Sequence, residues 1–380
     1  MSKSNVIRRI IVHEVKVPAK EGAVNHPSVD HPLHKITVAG QAAWSVQFDA
    51  LSKVMLELEL DSGIVGLGEC YRDHAPATID NIARSLIGQD ILTLNRQQLP
   101  IGHCREYDGF ECAITDAYAK LHDLRVADLL GGPVRDRVKV GAWTGHRTVD
   151  EMGPMAQRFA KQGFDNWKLK CGLDDDVVGW CERVAEASPG MTVTLDPNER
   201  WERADEARSR IARLAEVGNV LCLEDPIPRW MLAEYAELRK LSPIRIVLHV
   251  SLPYIVHGQR VSDAVLALQH RAVDGFNFNG GLAGFAQLDR IAAAANLPCW
   301  HGSEVDLGIL EAMYVHQAAA AVSCTWPSDI FGRMVREHDL LKQPLRIEPP
   351  HVYLPEGPGL GVALDEDAVK AHALDRKVYE

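Results

Sequence analysis

The sequence lacks an excess of positive charge, because 52 Asp and Glu residues outnumber 41 Lys and Arg residues and the formal net charge is -11. Without a basic stripe to neutralise phosphates, binding to nucleic acid is not expected. The sequence also lacks any run of roughly 18 or more uncharged apolar residues, so membrane association is not expected either. Residues 1–9 contain no apolar core of a signal peptide, and we therefore expect a cytoplasmic protein.

Cysteine pairs of the metal-binding or redox type are missing as well. The eight cysteines include no CxxC pair, and those in apolar or strand-like contexts are Cys70, Cys112, Cys222, Cys299 and Cys324. We interpret the cysteines as reduced structural thiols.

What the chain does have is length and apolar content. Its 380 residues, 46% of them hydrophobic, can bury one large and one smaller core, which predicts two domains.

The region from residue 167 to residue 326 repeats one pattern, a short apolar run that ends in polar or aromatic residues. The runs end at Lys170, Asp196, Glu224, His249, Asn279, His301 and Trp326. Their spacing of about 25 residues is the length of one strand plus one crossover helix, which predicts a βα barrel. In such barrels the active site is built at the carboxyl ends of the strands, so these endings are the candidate functional residues.

The segment before the repeats has a different organisation. Alternating apolar residues around an Asp-Ser-Gly turn predict an antiparallel hairpin, and spacings of three and four predict helices. The predicted strands are residues 54–60 and 64–69, and the predicted helices lie near residues 77–87 and over residues 110–124. Strands followed by helices, without alternation, predict an α+β domain.

Between the first strand and the hairpin lies a long polar loop, residues 18–35, which is punctuated by prolines. It carries His26, His31 and His34. Loops of this size are usually functional, so we interpret it as a candidate lid.

Lys168 and Lys170 are two residues apart on one predicted strand, so their side chains leave the same face. If that face is the barrel interior, mutual repulsion and loss of water lower the pKa of an ammonium group toward that of a base. A pair of solvent-exposed lysines at a strand end is the alternative interpretation.

Two carboxylates, Asp196 and Glu224, end the next two predicted strands at the same depth. Buried carboxylates are costly unless they bind a cation, and oxygen ligands from separate strands describe a Mg²⁺ site. The alternative for either residue is an interior salt bridge.

The order of these groups along the chain resembles that of a known enzyme family. Lys-x-Lys at 168–170, Asp-x-Asn at 196–198 and Glu-Asp-Pro at 224–226 resemble the mandelate racemase and muconate-lactonising branch of the enolase superfamily. Further stretches typical of that branch are residues 61–69, 113–116, 129–132, 280–281 and 357–361.

The resemblance implies an α/β fold, a modified TIM barrel of the (β/α)7β type with an α+β capping domain. Residues 136–344 would form the barrel, and residues 1–135 the cap, together with a return segment at 345–380. The resemblance further implies one Mg²⁺ per subunit, which holds the carboxylate of a small substrate while the adjacent proton is removed and an enediolate forms. We also expect a homo-oligomer.

The same resemblance assigns roles by position. Lys170 is the expected base, and Lys168 is expected to polarise the substrate carboxylate and to depress the pKa of Lys170. Asp196 and Glu224 are expected metal ligands. His301, at the end of the seventh strand, falls where the mandelate racemase group keeps a base or acid on the opposite face.

Two positions depart from the family pattern. On the fifth strand His249 replaces an acidic third ligand. As a softer ligand it admits Mn²⁺ or another divalent ion besides Mg²⁺, unless it only donates or accepts hydrogen bonds. On the sixth strand Asn279 occurs where relatives have a lysine or an aspartate, and it cannot titrate. A lysine-on-lysine cycloisomerase or dipeptide epimerase is therefore disfavoured, and the Asp-His dyad is absent.

A Lys170 base facing a His301 acid favours dehydration of a hydroxy acid or sugar acid. Racemisation or epimerisation of a carboxylic acid is the alternative, and a non-catalytic relic that binds metal and a carboxylate is a second alternative. The expected substrate-binding residues are Asn198, Asn279, His26 and Trp300.

Overall fold

The computed structural model describes residues 5–28, 52–72, 74–250 and 259–380. His31 and His34 of the candidate lid lie outside these residues. Within them the strands are, in chain order, Ile7–Val15 (β1), Lys53–Leu60 (β2), Val65–Cys70 (β3), Arg137–Lys139 (β4), Ala142–Thr144 (β5), Asn166–Lys170 (β6), Thr192–Asp196 (β7), Val220–Glu224 (β8), Arg245–Val250 (β9), Gly275–Phe278 (β10), Cys299–His301 (β11), Ile347–Glu348 (β12), His351–Tyr353 (β13) and Ala373–Tyr379 (β14).

The helices alternate with the strands from β5 to β11. In chain order the helices of the described residues are Pro76–Leu86 (α1), Tyr107–Leu121 (α2), Val126–Leu129 (α3), Val149–Gln162 (α4), Val177–Ala187 (α5), Ala204–Val217 (α6), Leu232–Leu241 (α7), Arg260–Gln269 (α8), Leu282–Ala294 (α9), Gly308–Ala320 (α10), Gly332–Val335 (α11) and Glu366–His372 (α12). Among these described helices, none is long and apolar enough to cross a membrane.

Besides a three-stranded sheet in the order β12-β13-β4, the described residues form two larger sheets. The smaller of these two is antiparallel, with the strand order β14-β1-β2-β3. The predicted hairpin of β2 and β3 is confirmed, and Gly63 in its turn has a φ of +82°, which glycine adopts without strain. Helix α2 packs directly on β3. A Cβ atom at Gly66 would lie 2.1 Å from the carbonyl oxygen of Ala113, and one at Gly68 would lie 2.2 Å from that of Gly109. Glycine on β3 therefore lets the helix approach the sheet.

The larger sheet is the predicted barrel, with seven strands in the order β11-β10-β9-β8-β7-β6-β5 and parallel pairing throughout. One expected strand ending differs. Trp326 does not end a regular strand, because residues 323–328 are joined to their neighbours only by isolated bridges. These bridges pair Cys299 with Cys324 and Val140 with Ser328, so an irregular segment occupies the eighth position.

Alternation along the barrel strands separates an inner face from an outer face. On β6 the ring of Trp167 points outward and meets Phe159 of α4 at 5.1 Å between ring centroids. Lys168 points inward and lines a small cavity together with Thr194 and Trp300. Because side chains alternate with a period of two, Lys170 also points inward.

The two parts of the molecule are joined by a buried ion network. Lys53 of β2 pairs with Glu69 of β3 at 3.0 Å and also with Asp306, which follows β11. The carboxylate of Glu69 accepts hydrogen bonds from the backbone N–H groups of Leu307 and Leu310, at the start of α10. These contacts hold the smaller sheet against the end of the barrel where the strands terminate.

Candidate active site

Lys168 lies at the centre of an acidic cluster inside the barrel. Its Nζ is 2.6 Å from Oε2 of Glu224, 2.7 Å from Oδ2 of Asp329 and 3.5 Å from Oδ2 of Asp196. Burial alone would lower the pKa of Lys168, but the carboxylates of Asp329, Glu224 and Asp196 raise it well above its ordinary value. The expected depression of a lysine pKa is therefore wrong for Lys168, which stays a buried cation because three carboxylates surround it.

Lys170 and Asp196 are paired neighbours on adjacent strands. The register of β6 and β7 places them side by side, and Nζ of Lys170 forms an ion pair with Oδ2 of Asp196. The other oxygen of Asp196 accepts a hydrogen bond of 3.0 Å from the backbone N–H of Asn198. Asn198 is buried with a φ of +46°, and its side-chain oxygen has no hydrogen-bond partner among the described residues. The expected base thus lies beside one expected metal ligand.

Glu224 connects three strands. Its Oε1 accepts a hydrogen bond of 2.8 Å from the side-chain amide of Asn277 on β10 and lies 3.1 Å from Nδ1 of His249 on β9. Burial acts to raise the pKa of Glu224, but Lys168 and the contact with His249 lower it well below its ordinary value. Glu224 is therefore a fully buried carboxylate that keeps its negative charge.

A divalent cation fits the donor groups around Glu224. Among the described residues, ligand atoms of Glu224, Asp225 and His249 lie within 4.8 Å of one another. Nε2 of His249 has no hydrogen-bond partner in the described part of the chain. Two carboxylates and one imidazole suit Mg²⁺ or a somewhat softer ion such as Mn²⁺.

Asp225 was not a predicted ligand, whereas Asp196 was. Asp225 accepts a hydrogen bond of 2.9 Å from the backbone N–H of His249 and forms an ion pair with Arg229. Asp196 is outside this group of three and approaches Glu224 through the ammonium of Lys168, which contacts both carboxylates. Asp196 and Glu224 thus both form interior salt bridges with the lysines, which was the alternative interpretation of these two carboxylates.

Asn279 and Trp300 lie in the interior, on the side of β10 and β11. Asn279 is fully buried, and neither its side-chain oxygen nor its nitrogen has a hydrogen-bond partner among the described residues. The ring of Trp300 stacks on Trp326 at 5.8 Å, and Nζ of Lys168 lies 5.5 Å from the centroid of Trp300. Trp300 therefore lies beside Lys168, and Asn279 is a buried amide with two unpartnered side-chain atoms.

His26 lies beside the loop that follows β5. Its backbone N–H donates a hydrogen bond of 3.0 Å to the carbonyl of His146, and its half-buried ring contacts the hydroxyl of Ser28 at 2.6 Å. Arg147 donates hydrogen bonds to the carbonyls of residues 22–24. The described part of the candidate lid is thus fastened at the carboxyl end of the first barrel strand.

Comparison with known proteins identifies the family. The family model described as "Enolase C-terminal domain-like" matches residues 151–368. Muconate cycloisomerase 1 of Rhodococcus opacus is 32% identical over 271 residues, which cover 68% of this chain and 70% of that protein. The chain belongs to the mandelate racemase and muconate-lactonising family of the enolase superfamily.

Other relatives cover nearly the whole chain. The chloromuconate cycloisomerase of Cupriavidus pinatubonensis is 28% identical over 374 residues, covering 91% of this chain and 96% of that protein. The structure of N-succinyl Arg/Lys racemase from Bacillus cereus has a TM-score of 0.82 at 19% identity and covers 99% of this chain and 100% of its own. That of muconate cycloisomerase from Pseudomonas fluorescens has a TM-score of 0.79 at 23% identity, with 98% and 100% covered. These structures share the capped barrel fold, which confirms the predicted fold class.

His301 does not face the lysines, although the family pattern assigned it a base or acid role. Its ring lies between Phe285 of α9 and Tyr314 of α10, at centroid distances of 4.4 Å and 4.0 Å. Nδ1 contacts the carbonyl of Gly302 at 2.7 Å, and Nε2 contacts the side-chain oxygen of Gln317 at 3.0 Å. Burial lowers the pKa of His301 to about 4, although these two hydrogen bonds act in the opposite direction.

The physical reason is strand alternation. The register pairs Asn277 with Trp300 and Phe278 with His301, so the inward residue of β11 is Trp300. His301 therefore belongs to the layer between barrel and helices, and the expectation that it opposes Lys170 is corrected.

This correction predicts different outcomes for two neighbouring substitutions. We expect His301→Gln to retain proton exchange at the substrate while the free energy of unfolding falls by about 1–3 kcal/mol, because a buried hydrogen-bonded ring is lost. Trp300→Leu should instead impair exchange, because it removes the ring beside Lys168. Exchange rates from proton NMR in deuterated water and urea unfolding curves measure both effects. Loss of exchange in His301→Gln without loss of stability would contradict the assignment.

The residues of the site that sequence analysis missed are Asp225, Asn277 and Asp329. Asp225 directly follows Glu224 in the Glu-Asp-Pro segment, and Asn277 precedes Asn279 by two, so alternation alone places both asparagines on the same face. Asp329 follows the irregular eighth segment, which has no strand pattern from which its position in the site could be predicted.

Proposed function

We propose that this protein is a metal-dependent enzyme that removes the proton α to the carboxylate of a small substrate, with Lys170 as the base. We further propose that a β-hydroxyl group then leaves, so that the reaction is dehydration of a hydroxy acid or sugar acid. The observation that carries the proposal is the buried pair Lys168 and Lys170, which lies beside Asp196 and Glu224 inside the barrel.

The cation belongs to this proposal. Glu224 and His249 would hold one Mg²⁺ per subunit, together with Asp196 or Asp225, and Mn²⁺ is the alternative because an imidazole is among the donors. When bound, the cation supplies positive charge that offsets the negative charge developing on the substrate carboxylate.

The two lysines have different proposed roles, one as a hydrogen-bond donor and the other as the base. Lys168 keeps its proton, because three carboxylates surround its ammonium, and it can therefore donate a hydrogen bond to the substrate carboxylate. Lys170 acts as the base after its ammonium has lost one proton to solvent, and its contact with Asp196 holds Nζ in place for the transfer from carbon.

A single base is sufficient for dehydration. Nζ of Lys170 takes the α-proton, the C–O bond at the β-carbon breaks, and the proton on Nζ passes to the departing hydroxide, so that water leaves and a carbon–carbon double bond forms. This route uses no acid on the opposite face, in agreement with the outward orientation of His301.

An isomerase is the second candidate. The relatives named muconate and chloromuconate cycloisomerase favour it, since opening or closing a lactone beside a carboxylate uses the same proton transfer with an internal carboxylate as the leaving group. Racemisation or epimerisation needs in addition a second titratable group that faces the substrate. His301, to which the family pattern gives that role, lies between α9 and α10 instead, and this favours dehydration over racemisation.

Incubation of carboxylic acids in deuterated water separates these reactions. Three substrate sets are needed: hydroxy and sugar acids, lactone acids, and chiral acids without a β-leaving group. We expect α-proton exchange, followed by loss of water in the first set. An acid with hydroxyl groups on both the α- and β-carbons then gives an enol that rearranges to a 2-keto acid, and an acid without the α-hydroxyl gives an unsaturated acid. Turnover confined to lactone acids would support cycloisomerisation, and deuterium uptake with inversion in the third set would support racemisation. No exchange in any set, with metal bound, would overturn the proposed enzyme.

A further inference from the structure

A second cavity lies outside the barrel, between α2 of the smaller domain and the helices α8 and α9. We call it the α2–α9 cleft. Its volume is about 860 Å³, within the range of small-molecule sites. It is lined by described residues alone and includes none of the lysines or carboxylates of the candidate active site.

The charge of the cleft is opposite to that of the chain. Arg96, Arg260 and Arg290 line it, whereas the protein carries a net charge of -11. Nη1 of Arg96 is buried without a hydrogen-bond partner among the described residues, and the guanidinium lies 3.5 Å from the ring centroid of Tyr118. Arg290 is exposed on α9. Two of these cations are therefore available to an anion.

The inner wall carries a buried carboxyl group. Glu111 is only 2% exposed, and its Oε1 accepts a hydrogen bond of 3.0 Å from the backbone N–H of Ala283 in the first turn of α9. Its Oε2 has no hydrogen-bond partner among the described residues. Burial, and then the nearby Asp108, raise the pKa of Glu111 to about 8. Near pH 7 this carboxyl is therefore mostly protonated and offers a hydrogen-bond donor rather than a negative charge.

The rest of the lining is apolar or small. Leu130 lines one side and Leu282 and Ala286 line the other. Gly284 of α9 also lines the cleft, and a Cβ atom at this position would meet nothing within 4 Å. The cleft thus combines apolar walls with positive charge and one neutral donor.

We propose that the α2–α9 cleft is a second ligand-binding site for a small amphipathic anion, an apolar body that carries a carboxylate, sulfonate or phosphate group. The anionic group would contact Arg96 and Arg290, and the apolar body would lie against Leu282 and Ala286. The cleft shares no lining residue with the cluster around Lys168, and an added Cβ at Gly280 or Gly281 would clash with Arg260 or Glu111 of the cleft wall. Binding in the cleft is therefore independent of the proposed reaction.

The probe that tests this site is 8-anilinonaphthalene-1-sulfonate, titrated by fluorescence into the full-length folded protein. Gly284→Phe places a ring in the open space of the cleft and should weaken binding by about tenfold or more, whereas Gly284→Ala, with the same backbone change, should leave affinity within about twofold. Circular dichroism and metal titration check that both variants remain folded with an intact barrel site.

A second pair of variants tests the charge without altering the shape. Arg290→Gln should weaken binding of the probe by about three- to tenfold, and Arg213→Gln, the same change at an exposed position of α6, should not. The uncharged analogue N-phenyl-1-naphthylamine should lose affinity and should not respond to Arg290→Gln.

Equal affinity for the sulfonate in the parent protein and in Gly284→Phe would overturn the proposal. A fall in the sedimentation coefficient of Gly284→Phe without any probe binding to the parent would overturn it too, because the cleft would then be an interface between copies of the chain.

Discussion

Replacing Lys170 with methionine is expected to lower the rate of α-proton exchange by about 10²- to 10⁴-fold, the usual contribution of a positioned general base. Methionine keeps an unbranched apolar stem of similar length but has no group that accepts a proton. The interior of the barrel retains Lys168, but three carboxylates hold that ammonium in its charged form. Exchange is measured by proton NMR of the substrate in deuterated water at saturating metal.

Two controls accompany this substitution. Lys170→Arg preserves the positive charge beside Asp196 but provides no base at neutral pH, so exchange should be lost while stability is better retained than in the methionine variant. Lys161→Met makes the same change at an exposed position of α4 and should leave exchange unaltered. Full exchange in both Lys170 variants would remove Lys170 from the reaction.

Glu224→Gln is expected to abolish binding of a divalent cation. Loss of a group that only hydrogen-bonds a metal ligand lowers metal affinity by roughly 10- to 100-fold. The loss here should be larger, because Glu224 would supply both negative charge and a ligand atom. Its buried carboxylate contacts Lys168, Asn277 and His249, so no neighbouring carboxylate can replace it without moving. Isothermal calorimetry with Mg²⁺ and with Mn²⁺ measures the loss, and Glu237→Gln on the exposed side of α7 is the matched control.

Calorimetry of Asp196→Asn and Asp225→Asn tests which of these two carboxylates binds the metal together with Glu224. We expect the larger loss from Asp196→Asn, because Asp196 is the ligand that the family pattern assigns. The existing contacts do not separate the two, since both oxygens of Asp225 contact His249 or Arg229 and both oxygens of Asp196 contact Asn198 or Lys170. A larger loss from Asp225→Asn would select the compact group of Glu224, Asp225 and His249 instead. Unchanged affinity in Glu224→Gln would exclude both sets.

The fold was largely predictable because its signals are local. Helix α2, Tyr107–Leu121, overlaps the helix predicted over residues 110–124, whose apolar positions recur at helical spacing. The hairpin of β2 and β3 follows from alternation around one glycine turn. The irregular eighth segment was not predictable, since only isolated bridges to β11 and to the segment before β5 define it and Pro327 interrupts any strand pattern.

The candidate site was predictable as a set of strand endings, but the direction of each side chain was not. Lys168 and Lys170 share a face by spacing alone, whereas the face of His301 depends on its pairing with Phe278 across two strands. The sequence contained a clue, because Phe276 and Phe278 are apolar while Asn277 and Asn279 are polar. The pKa of Lys168 depended on Asp329, which is distant along the chain and is brought to it by the segment that closes the barrel.

The pairing of β14 with β1 makes the order of synthesis important for this protein. Residues 7–15 emerge from the ribosome long before the strand that covers their free edge, residues 373–379. During synthesis β1 can pair with β2, but its other edge stays open and is able to join strands of other nascent chains. The contacts that complete the sheet also have very large sequence separation, which slows their formation relative to the local helix and strand units of the barrel. We therefore expect the smaller sheet to be completed late in folding, when β14 pairs with β1.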